Sequence, residues 1–294
     1  MDLADLQIFR AVAQEGGIVR AARKLHRVQS NVTTRIKQLE ASIGVQLFHR
    51  DRRRLHLSPN GELLLAYAER LMQLSEEARN AVSGARPQGL LRLGALESTT
   101  ASRLPAVLAA FHQAYPDVRV ELTTGTNDAL TAAVASRRLE AAFVAEAPGD
   151  RALAALPLFR ERLLLIAARS HRPIARAQDV DGDSIIAFPN GCAYRRILQR
   201  WLGDRRLASV RVMELGSYHA IVACVASGTG IALVPESVLE TVRHAEVARY
   251  ALPKVHSHVH TPLIWRTHEP SAALVALREV ATQVARGAAR GRSA

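Results

Sequence analysis

A run of polar and basic side chains between Leu25 and Gly61 has the composition of a nucleic-acid contact. The stretch reads LHRVQSNVTTRIKQLEASIGVQLFHRDRRRLHLSPNG. Its amide and hydroxyl groups suit the donors and acceptors on base edges in a major groove, and its cations suit phosphates. The residues predicted to contact DNA are Arg27, Gln29, Ser30, Thr33, Arg35, Lys37, Arg50, Arg52 and Arg53. A solvated helix face beside a charged loop is the alternative interpretation.

The charge of the chain is concentrated in this part. Lys and Arg outnumber Asp and Glu by 39 to 27 over the 294 residues, which gives a net charge of +12. Between Arg20 and Arg54 there are ten basic residues and only two acidic ones, Glu40 and Asp51. Such a balance favours an acidic partner, a nucleic acid or a membrane surface.

A second set of polar residues follows predicted strands in the later part of the chain. Hydroxyls and free amides at helix starts favour a carboxylate, and Glu97 could receive an amine. A small amino acid or a polyamine-derived metabolite would suit both groups. Ordinary helix capping is the alternative for any single residue. The predicted effector-binding residues are Glu97, Ser98, Thr99, Thr100, Thr124, Gly125, Asn190, Cys192, Arg195, Ser217 and Tyr218.

The two cysteines are too few for a disulfide framework and are wrongly spaced for a zinc site, which favours a reducing compartment. Cys192 lies beside Arg195 and Arg196 at a predicted helix start, and both features lower the pKa of a thiol. A redox role for Cys192 therefore stays open beside a packing role. Cys224 is predicted to be a small core residue.

Catalysis has little support in the sequence. The alternating His256, His258 and His260 form only a weak metal motif, because no carboxylate or cysteine is nearby. Nucleophile elbows, phosphate-binding loops and dinucleotide fingerprints are missing from the strand-to-helix positions that they require. The chain is therefore predicted not to be an enzyme and to need no cofactor.

The elements that position the first set are short helices followed by a hairpin. Apolar spacing predicts one helix from Leu3 to Gln14 and a second from Ile18 to Leu25. After a short break at residues 26–28, a third helix is predicted to run to Ser42, with Gly44 as its C-cap. Partial alternation from Gln46 to Leu57 predicts a hairpin with Arg50 to Arg54 at its tip. Together they form a predicted helix-turn-helix with a basic wing.

A long helix is predicted from Pro59 to Val82, with Ser58 as N-cap and proline at its first position. Its apolar residues recur at steps of three and four, as in a coiled-coil seam, which predicts a dimer. These residues are Leu64, Tyr67, Leu71, Leu74, Ala78 and Ala81.

Beyond the break GARPQG, strands and helices alternate, which predicts an α/β unit with parallel sheets. One helix is expected from Arg103 to Tyr115, and a later strand begins at Leu163. The acidic start MDLADLQ is unlike a signal peptide, and no run of apolar residues is long enough to span a bilayer, so a cytoplasmic location is expected.

Residues 9–68 resemble the N-terminal winged helix-turn-helix and linker helix of LysR-type transcriptional regulators. The resemblance is carried by FRAVAQEGGIVRAARKLHRVQSNVTTRIKQLEASIGVQLFHRDRRRLHLSPNGELLLAYA. Its landmarks are Ala21-Ala22, Leu25, Gln29, Ile36-x-x-Leu39-Glu40, Gly44-Val45-x-Leu47-Phe48-x-Arg50 and Leu57-Ser58-x-x-Gly61. The similarity extends over essentially the whole chain.

This chain departs from the family pattern at three places. Gly17-Ile18-Val19 stands where Ser-Phe-Thr is common and Val28-Gln29-Ser30 where Ser-Gln-Pro is common, so an N-cap hydroxyl is expected to be shifted or lost. Thr33-Thr34 replaces the usual Ser-Arg. The forms RVQSNVTTRIKQLE, LESTTASRLPAVLAAF and GCAYRR resemble a narrower subgroup that includes putrescine-utilisation regulators.

The resemblance implies an α/β protein with an N-terminal all-α winged helix-turn-helix, a long linker helix, and a two-lobed periplasmic-binding-protein-like α/β effector module. The winged helix-turn-helix is expected at residues 1–58, the dimerising linker helix and hinge at 59–89, and the effector module at 90–294. Lobe I is expected at 90–161 plus 266–294 and lobe II at 162–265, with crossings near Arg162 and Arg266.

The expected partners are promoter DNA, a small-molecule effector, and further copies in a homodimer or homotetramer. RNA polymerase is a candidate partner, and no membrane is expected. The rivals are a cytoplasmic small-molecule binding protein without specific DNA recognition, and a hydrolase or transferase on an α/β scaffold.

Overall fold

The structure is a computed structural model that describes residues 1–51, 54–83, 86–180, 182–203, 211–242, 246–267 and 270–290. The chain divides into two compact units, residues 1–85 and 86–294. The predicted helix-turn-helix, wing and long helix all belong to the first unit.

The first unit contains four helices and a hairpin among its described residues. Their bounds are α1 Leu3–Glu15, α2 Ile18–Lys24, α3 Gln29–Ile43, β1 Phe48–Asp51, β2 Arg54–Leu57 and α4 Pro59–Ser83. Leu6, Phe9 and Val32 are among the residues that pack in its core, and the rings of Phe9 and Phe48 lie 5.4 Å apart. Helix and wing therefore share one hydrophobic core.

Local caps set the ends of these helices. Gly16 and Gly44 end α1 and α3 in the left-handed region, at φ 62° and 74°, which glycine adopts without strain. Ser58 Oγ accepts from the Gly61 amide at 2.9 Å, which confirms the predicted N-cap of α4. A side chain at Gly61 would approach the carbonyl oxygen of Leu47 to 2.1 Å, so only glycine fits there.

The second unit begins with a parallel core and continues into an antiparallel part. Its strands are β3 Gly89–Ala95, β4 Val118–Thr124, β5 Ala141–Phe143, β6 Leu153–Ala168, β7 Ile185–Ala187, β8 Val212–Glu214, β9 Ala232–Pro235, β10 Val247–Ala251 and β11 His258–Arg266. Its helices are α5 Glu97–Ser102, α6 Leu104–Ala114, α7 Asn127–Ala135, α8 Ala193–Leu202, α9 Tyr218–Ala226, α10 Glu236–Leu239, α11 Lys254–Ser257 and α12 Ala272–Arg290, with a 3-10 turn at Ala177–Val180.

The predicted parallel pairing is found in part of the sheet, and the rest is antiparallel. Strand β3 pairs in parallel with β4 and β5, and β7 pairs in parallel with β8. Strands β11, β10 and β9 instead pair antiparallel with the long β6. Strand β6 is 16 residues long and passes through both lobes. Its neighbours run in the opposite direction, which makes this part of the sheet antiparallel.

Strand β6 connects the two lobes. Its residues Leu153 to Arg162 pair with β11, whereas Leu163 to Ala168 pair with β9 or β10, so its partners change next to Arg162. Strand β11, which the sequence-based division places largely in lobe II, pairs with the first half of β6 and with β5 of lobe I.

The helix expected from Arg103 to Tyr115 is confirmed as α6, Leu104–Ala114, and a short helix that was not predicted, α5, precedes it. Pro105 lies at the start of α6 and has no amide hydrogen to donate to the preceding turn, so the helix that begins at Glu97 ends at Ser102. The residues Glu97 to Thr100, expected between a strand and a helix, consequently form the first turns of α5.

Candidate functional site

The outer side of α3 presents the polar residues that the sequence singled out. Gln29, Ser30 and Lys37 are exposed, while Val32, Ile36 and Leu39 are buried on the opposite side. Thr33 is half-buried, and its hydroxyl donates to the carbonyl oxygen of Gln29 at 2.9 Å. The exposed amide, hydroxyl and ammonium groups leave α3 equipped to contact base edges and phosphates.

Arg35 lies in a different environment from its neighbours in α3. Its guanidinium forms an ion pair with Asp5 at 2.9 Å and approaches Asp2 at 3.4 Å. The Asp5 amide lowers the pKa of Asp2, and the charge of Arg35 lowers it further. Arg35 therefore ties α3 to the start of α1, in contrast to the expectation that it contacts DNA.

The start of α3 has no side-chain cap. Val28 occupies the N-cap position without accepting an amide, and Gly17 does the same at α2, so the predicted loss of the family's hydroxyls is confirmed. The first amides of a helix without a cap can bind an anion such as a phosphate. Arg27 is exposed just before this end.

The predicted wing is a two-stranded hairpin in which Phe48 pairs with Leu57 and Asp51 pairs with Arg54. Arg50 lies in its first strand. Arg52 and Arg53, at the predicted tip, lie outside the described residues. Their contacts with DNA stay a prediction.

A pocket of about 290 Å³ lies between the two lobes of the second unit. The chain contributes to it from positions far apart in sequence, at the ends of β3 and β4 in one lobe and at the starts of α8 and α9 in the other. Its lining residues are Leu96, Glu97, Ser98, Gly125, Thr126, Ala145, Phe188, Cys192, Ala193, Tyr194 and Tyr218.

Five predicted effector residues meet in this pocket, namely Glu97, Ser98, Gly125, Cys192 and Tyr218. The other six do not line it. Thr99 is buried elsewhere and Thr100 donates to the carbonyl oxygen of Leu96 at 3.0 Å. Thr124 and Asn190 are exposed, Ser217 precedes α9, and Arg195 pairs with Glu214 and with the carbonyl oxygen of Phe188.

Sequence reasoning found Tyr218 but missed the other two aromatic walls of the pocket, Phe188 and Tyr194. The rings of Phe188 and Tyr218 lie 4.7 Å apart, and Tyr194 adds a third ring. Phe188 directly follows β7 and precedes Pro189, Asn190 and Gly191, so its position at a strand end was the available signal. No sequence pattern marks the remaining lining residues that were missed, which are Leu96, Thr126, Ala145 and Ala193.

Glu97 is the charged group of the pocket lining. Its Oε1 atom accepts from the Tyr218 amide at 3.3 Å, which links the two lobes across the pocket. Within the described part of the chain its buried Oε2 atom has no hydrogen-bond partner. Burial raises the pKa of the Glu97 carboxyl, while the Tyr218 amide and, more weakly, His219 oppose that shift.

Cys192 does not have the activated thiol that its position in the sequence suggests. Burial raises its pKa above the ordinary value, and this outweighs the amides of Arg195 and Tyr194 and the two arginine charges. Arg195 and Arg196 are engaged with carboxylates. The expectation of a lowered thiol pKa is therefore wrong, and Cys192 packs as a wall of the pocket.

Charged contacts join the lobes beside the pocket. Arg196 of α8 donates to Asp128 at 2.9 Å and to Glu146 at 2.8 Å. On another side, the buried Glu161 accepts from Arg103 at 2.6 Å and from Ser237 at 2.7 Å. These contacts hold the lobes in one arrangement around the pocket.

The histidine motif gains no support as a metal site. His258 and His260 lie exposed on β11, and His256 belongs to α11. Across the described ranges, no three His, Cys, Asp or Glu side chains are grouped so that they could hold a metal ion. No helix among those residues has the length and apolarity to cross a membrane.

Comparison with known families matches both units. The model described as "Bacterial regulatory helix-turn-helix protein, lysR family" matches residues 3–62, and the "LysR substrate binding domain" model matches residues 84–286. The two matches together cover most of the chain.

Among curated proteins, the chain is 37% identical to the uncharacterized HTH-type transcriptional regulator YusT of Bacillus subtilis, over 90% of each sequence. It is 35% identical to the HTH-type transcriptional regulator GltR of the same organism, again over 90% of each. It is 32% identical to the HTH-type transcriptional regulator SoxR of Arthrobacter, over 90% of this chain and 91% of that protein.

Solved structures with the same fold include a full-length single-substitution variant of OxyR from Pseudomonas aeruginosa, at a TM-score of 0.73 and 21% identity, covering 97% of this chain and 95% of that one. Full-length CbnR in complex with its target DNA matches at a TM-score of 0.67 and 24% identity, covering 97% and 100%.

Proposed function

Because this chain belongs to the LysR family of DNA-binding transcriptional regulators, we propose that it binds its promoter through α3 and the wing, and that a small molecule in the interlobe pocket modulates this binding. The observation that carries the proposal is the exposed polar side of α3 in a unit that matches the family's DNA-binding domain over residues 3–62. Enzymatic activity and a binding role without DNA recognition are not favoured.

The side chains of α3 that are exposed to solvent are the ones that we expect to contact DNA. Gln29 and Ser30 would contact base edges, with Thr33 beside them, whereas Arg27 and Lys37 would contact phosphates. Arg50, Arg52 and Arg53 would add phosphate or minor-groove contacts from the wing. Arg35 is left out of this set because its charge is neutralised by Asp5.

The promoter-bound form would be a dimer or a dimer of dimers. An apolar stripe on α4 is exposed, with Leu63 at 60%, Tyr67 at 51% and Leu74 at 56% of their full accessible surface. Leu64, by contrast, packs on the core of the first unit, so the seam begins at Leu63 rather than at the predicted Leu64. A second copy of α4 would cover this stripe.

Effector binding would act by changing the balance between two arrangements of the lobes. A ligand shifts such a balance only if it contacts one arrangement better, and a pocket lined by both lobes meets that condition. The protein would act in the cytoplasm, where promoter DNA lies, and contact with RNA polymerase stays a prediction. The putrescine-utilisation subgroup gains no support from the relatives reported above, which carry other names.

Fluorescence anisotropy on the intergenic DNA upstream of its own gene tests this function. We expect tighter binding to that duplex than to a scrambled duplex of equal length and composition. Both affinities should fall as salt rises, since phosphate contacts release counterions. Equal affinity for the two duplexes would contradict sequence-specific regulation.

A further inference from the structure

We infer that the ligand of the interlobe pocket is a small primary amine, whose ammonium group pairs with Glu97 and lies against the rings of Phe188 and Tyr218. This inference rests on the proposed function, because it names the chemical class of the effector.

The charge of the pocket favours a cation. Glu97 is the one charged residue among the described residues that line it. The two arginines that follow Cys192 are directed to carboxylates outside the lining: Arg195 to Glu214, and Arg196 to Asp128 and Glu146. An anionic ligand would therefore face the Glu97 carboxylate with only His219, outside the lining, as a nearby imidazole, whereas a cationic ligand would neutralise Glu97 directly.

One charged-group atom at the pocket is buried and unused. Within the ranges that the structure describes, Glu97 Oε2 makes no hydrogen bond. Burying such groups without partners costs free energy, which a ligand with donors recovers. An ammonium group has three donors, and a charge-assisted bond to Glu97 would be the strongest of them.

The aromatic residues suit the same head group. Phe188 and Tyr218 form a tilted pair with ring centroids 4.7 Å apart, and both line the pocket. Aromatic faces attract ammonium groups, and the attraction is larger where water is excluded. Leu96, Ala145 and Ala193 supply apolar surface for an alkyl chain.

The size of the pocket limits the ligand to a small one. Its empty space of about 290 Å³ includes a part that is open to solvent, so the enclosed remainder suits an ammonium group on a short alkyl chain. The carboxylate, the rings and the apolar remainder together describe a primary amine.

Isothermal titration calorimetry of the full-length chain tests the inference with three four-carbon probes that differ only in head group: n-butylamine, n-butanol and butyrate. At about pH 8 the amine is protonated and butyrate is ionised. We expect the amine to bind, and butanol and butyrate to bind at least about tenfold more weakly. Glu97→Gln, which keeps an acceptor for the Tyr218 amide, should remove that preference.

Two further variants separate the ligand contact from an effect on folding. Glu121→Gln changes an exposed carboxylate on β4 that lies outside the pocket lining, so its amine binding should equal that of the wild type. Phe188→Leu keeps apolar bulk without the ring, and should weaken binding of butylamine more than of butanol.

The inference is overturned if the amine does not bind, if butyrate binds as well as the amine, or if folded Glu97→Gln keeps the preference. Promoter affinity is measured separately on the ligand-free protein. Equal affinity for the promoter and for a scrambled duplex would contradict the proposed regulator. The calorimetric comparison of amine, alcohol and carboxylate would still decide independently which ligand class the pocket binds.

Discussion

At the scale of single residues, Arg35 and Lys37 lie two positions apart in α3 and have opposite surroundings. Arg35 pairs with Asp5 of α1, whereas Lys37 is exposed. We expect Lys37→Gln to weaken promoter binding and to reduce the slope of log affinity against log salt by about one, at unchanged stability. Anisotropy at several salt concentrations measures this slope.

Arg35→Gln is the matched variant and should act on stability. Loss of its ion pair with Asp5 is expected to lower the free energy of unfolding by about 1 kcal/mol, measured by urea unfolding with far-UV circular dichroism. Its salt slope should stay that of the wild type. A slope reduced as much as in Lys37→Gln would show that Arg35 contacts a phosphate after all.

Glu140 provides a pH-dependent test of a buried carboxyl. Burial raises its pKa above the ordinary value of 4.5, although Ser271, the Arg92 amide and two arginine charges oppose the shift. The folded state therefore favours the protonated form. The contribution of Glu140 to stability is present below its unfolded pKa and is lost as the pH rises through its folded pKa.

Glu140→Gln should remove this dependence. Urea unfolding followed by tryptophan fluorescence reports on the second unit, because Trp201 and Trp265 both lie there. The stability of the variant relative to wild type should increase as the pH rises above the ordinary carboxyl pKa of 4.5, with Glu121→Gln as control. A difference that is constant with pH would show that Glu140 is not the titrating group.

Among the secondary-structure elements, α3 begins without a side-chain cap, so a substitution that adds a cap should stabilise the protein. Val28 at the N-cap is 71% exposed, so its replacement loses little burial. Val28→Ser should raise the free energy of unfolding by about 1 kcal/mol, because its hydroxyl can accept an amide of the first turn. Val28→Ala is the control and should give no gain. Urea unfolding followed by circular dichroism compares the two, and equal stability would mean that α3 gains nothing from a cap.

The stripe on α4 makes an element-scale prediction about assembly. Leu74→Glu would bury a carboxylate in the proposed seam, and sedimentation velocity should show a shift from dimer or tetramer toward monomer. Arg79→Glu places the same group on another side of α4 and should leave the assembly unchanged. Equal sedimentation of Leu74→Glu and the wild type would exclude this seam as the interface.

Elements with local signals were predictable from sequence. Gly44 and Ser58 mark helix ends through caps that depend on neighbouring residues, and both positions are confirmed. The first half of β6 was not found, because its alternating segment includes Pro157 and the charged run Arg160 to Arg162. Glu161 is buried there only because Arg103, distant in sequence, pairs with it.

At the scale of the whole molecule, the pocket illustrates the limit of sequence reasoning. Glu97, Ser98 and Tyr218 were predicted because each lies where a strand meets a helix. The roles of Phe188 and Tyr194 depend on how two lobes meet, which no local pattern encodes. The thiol of Cys192 was misjudged for the same reason, since its burial arises from the packing of both lobes around it.

The most direct test of a dimeric, sequence-specific regulator is a DNase I footprint of the full-length protein on its own upstream DNA. Two copies of α3 in a symmetric dimer should protect two half-sites whose centres lie about 10 base pairs, or a multiple of that distance, apart. The half-sites should be related by an interrupted palindrome. Protection of a single site, or uniform protection of any duplex, would contradict the account.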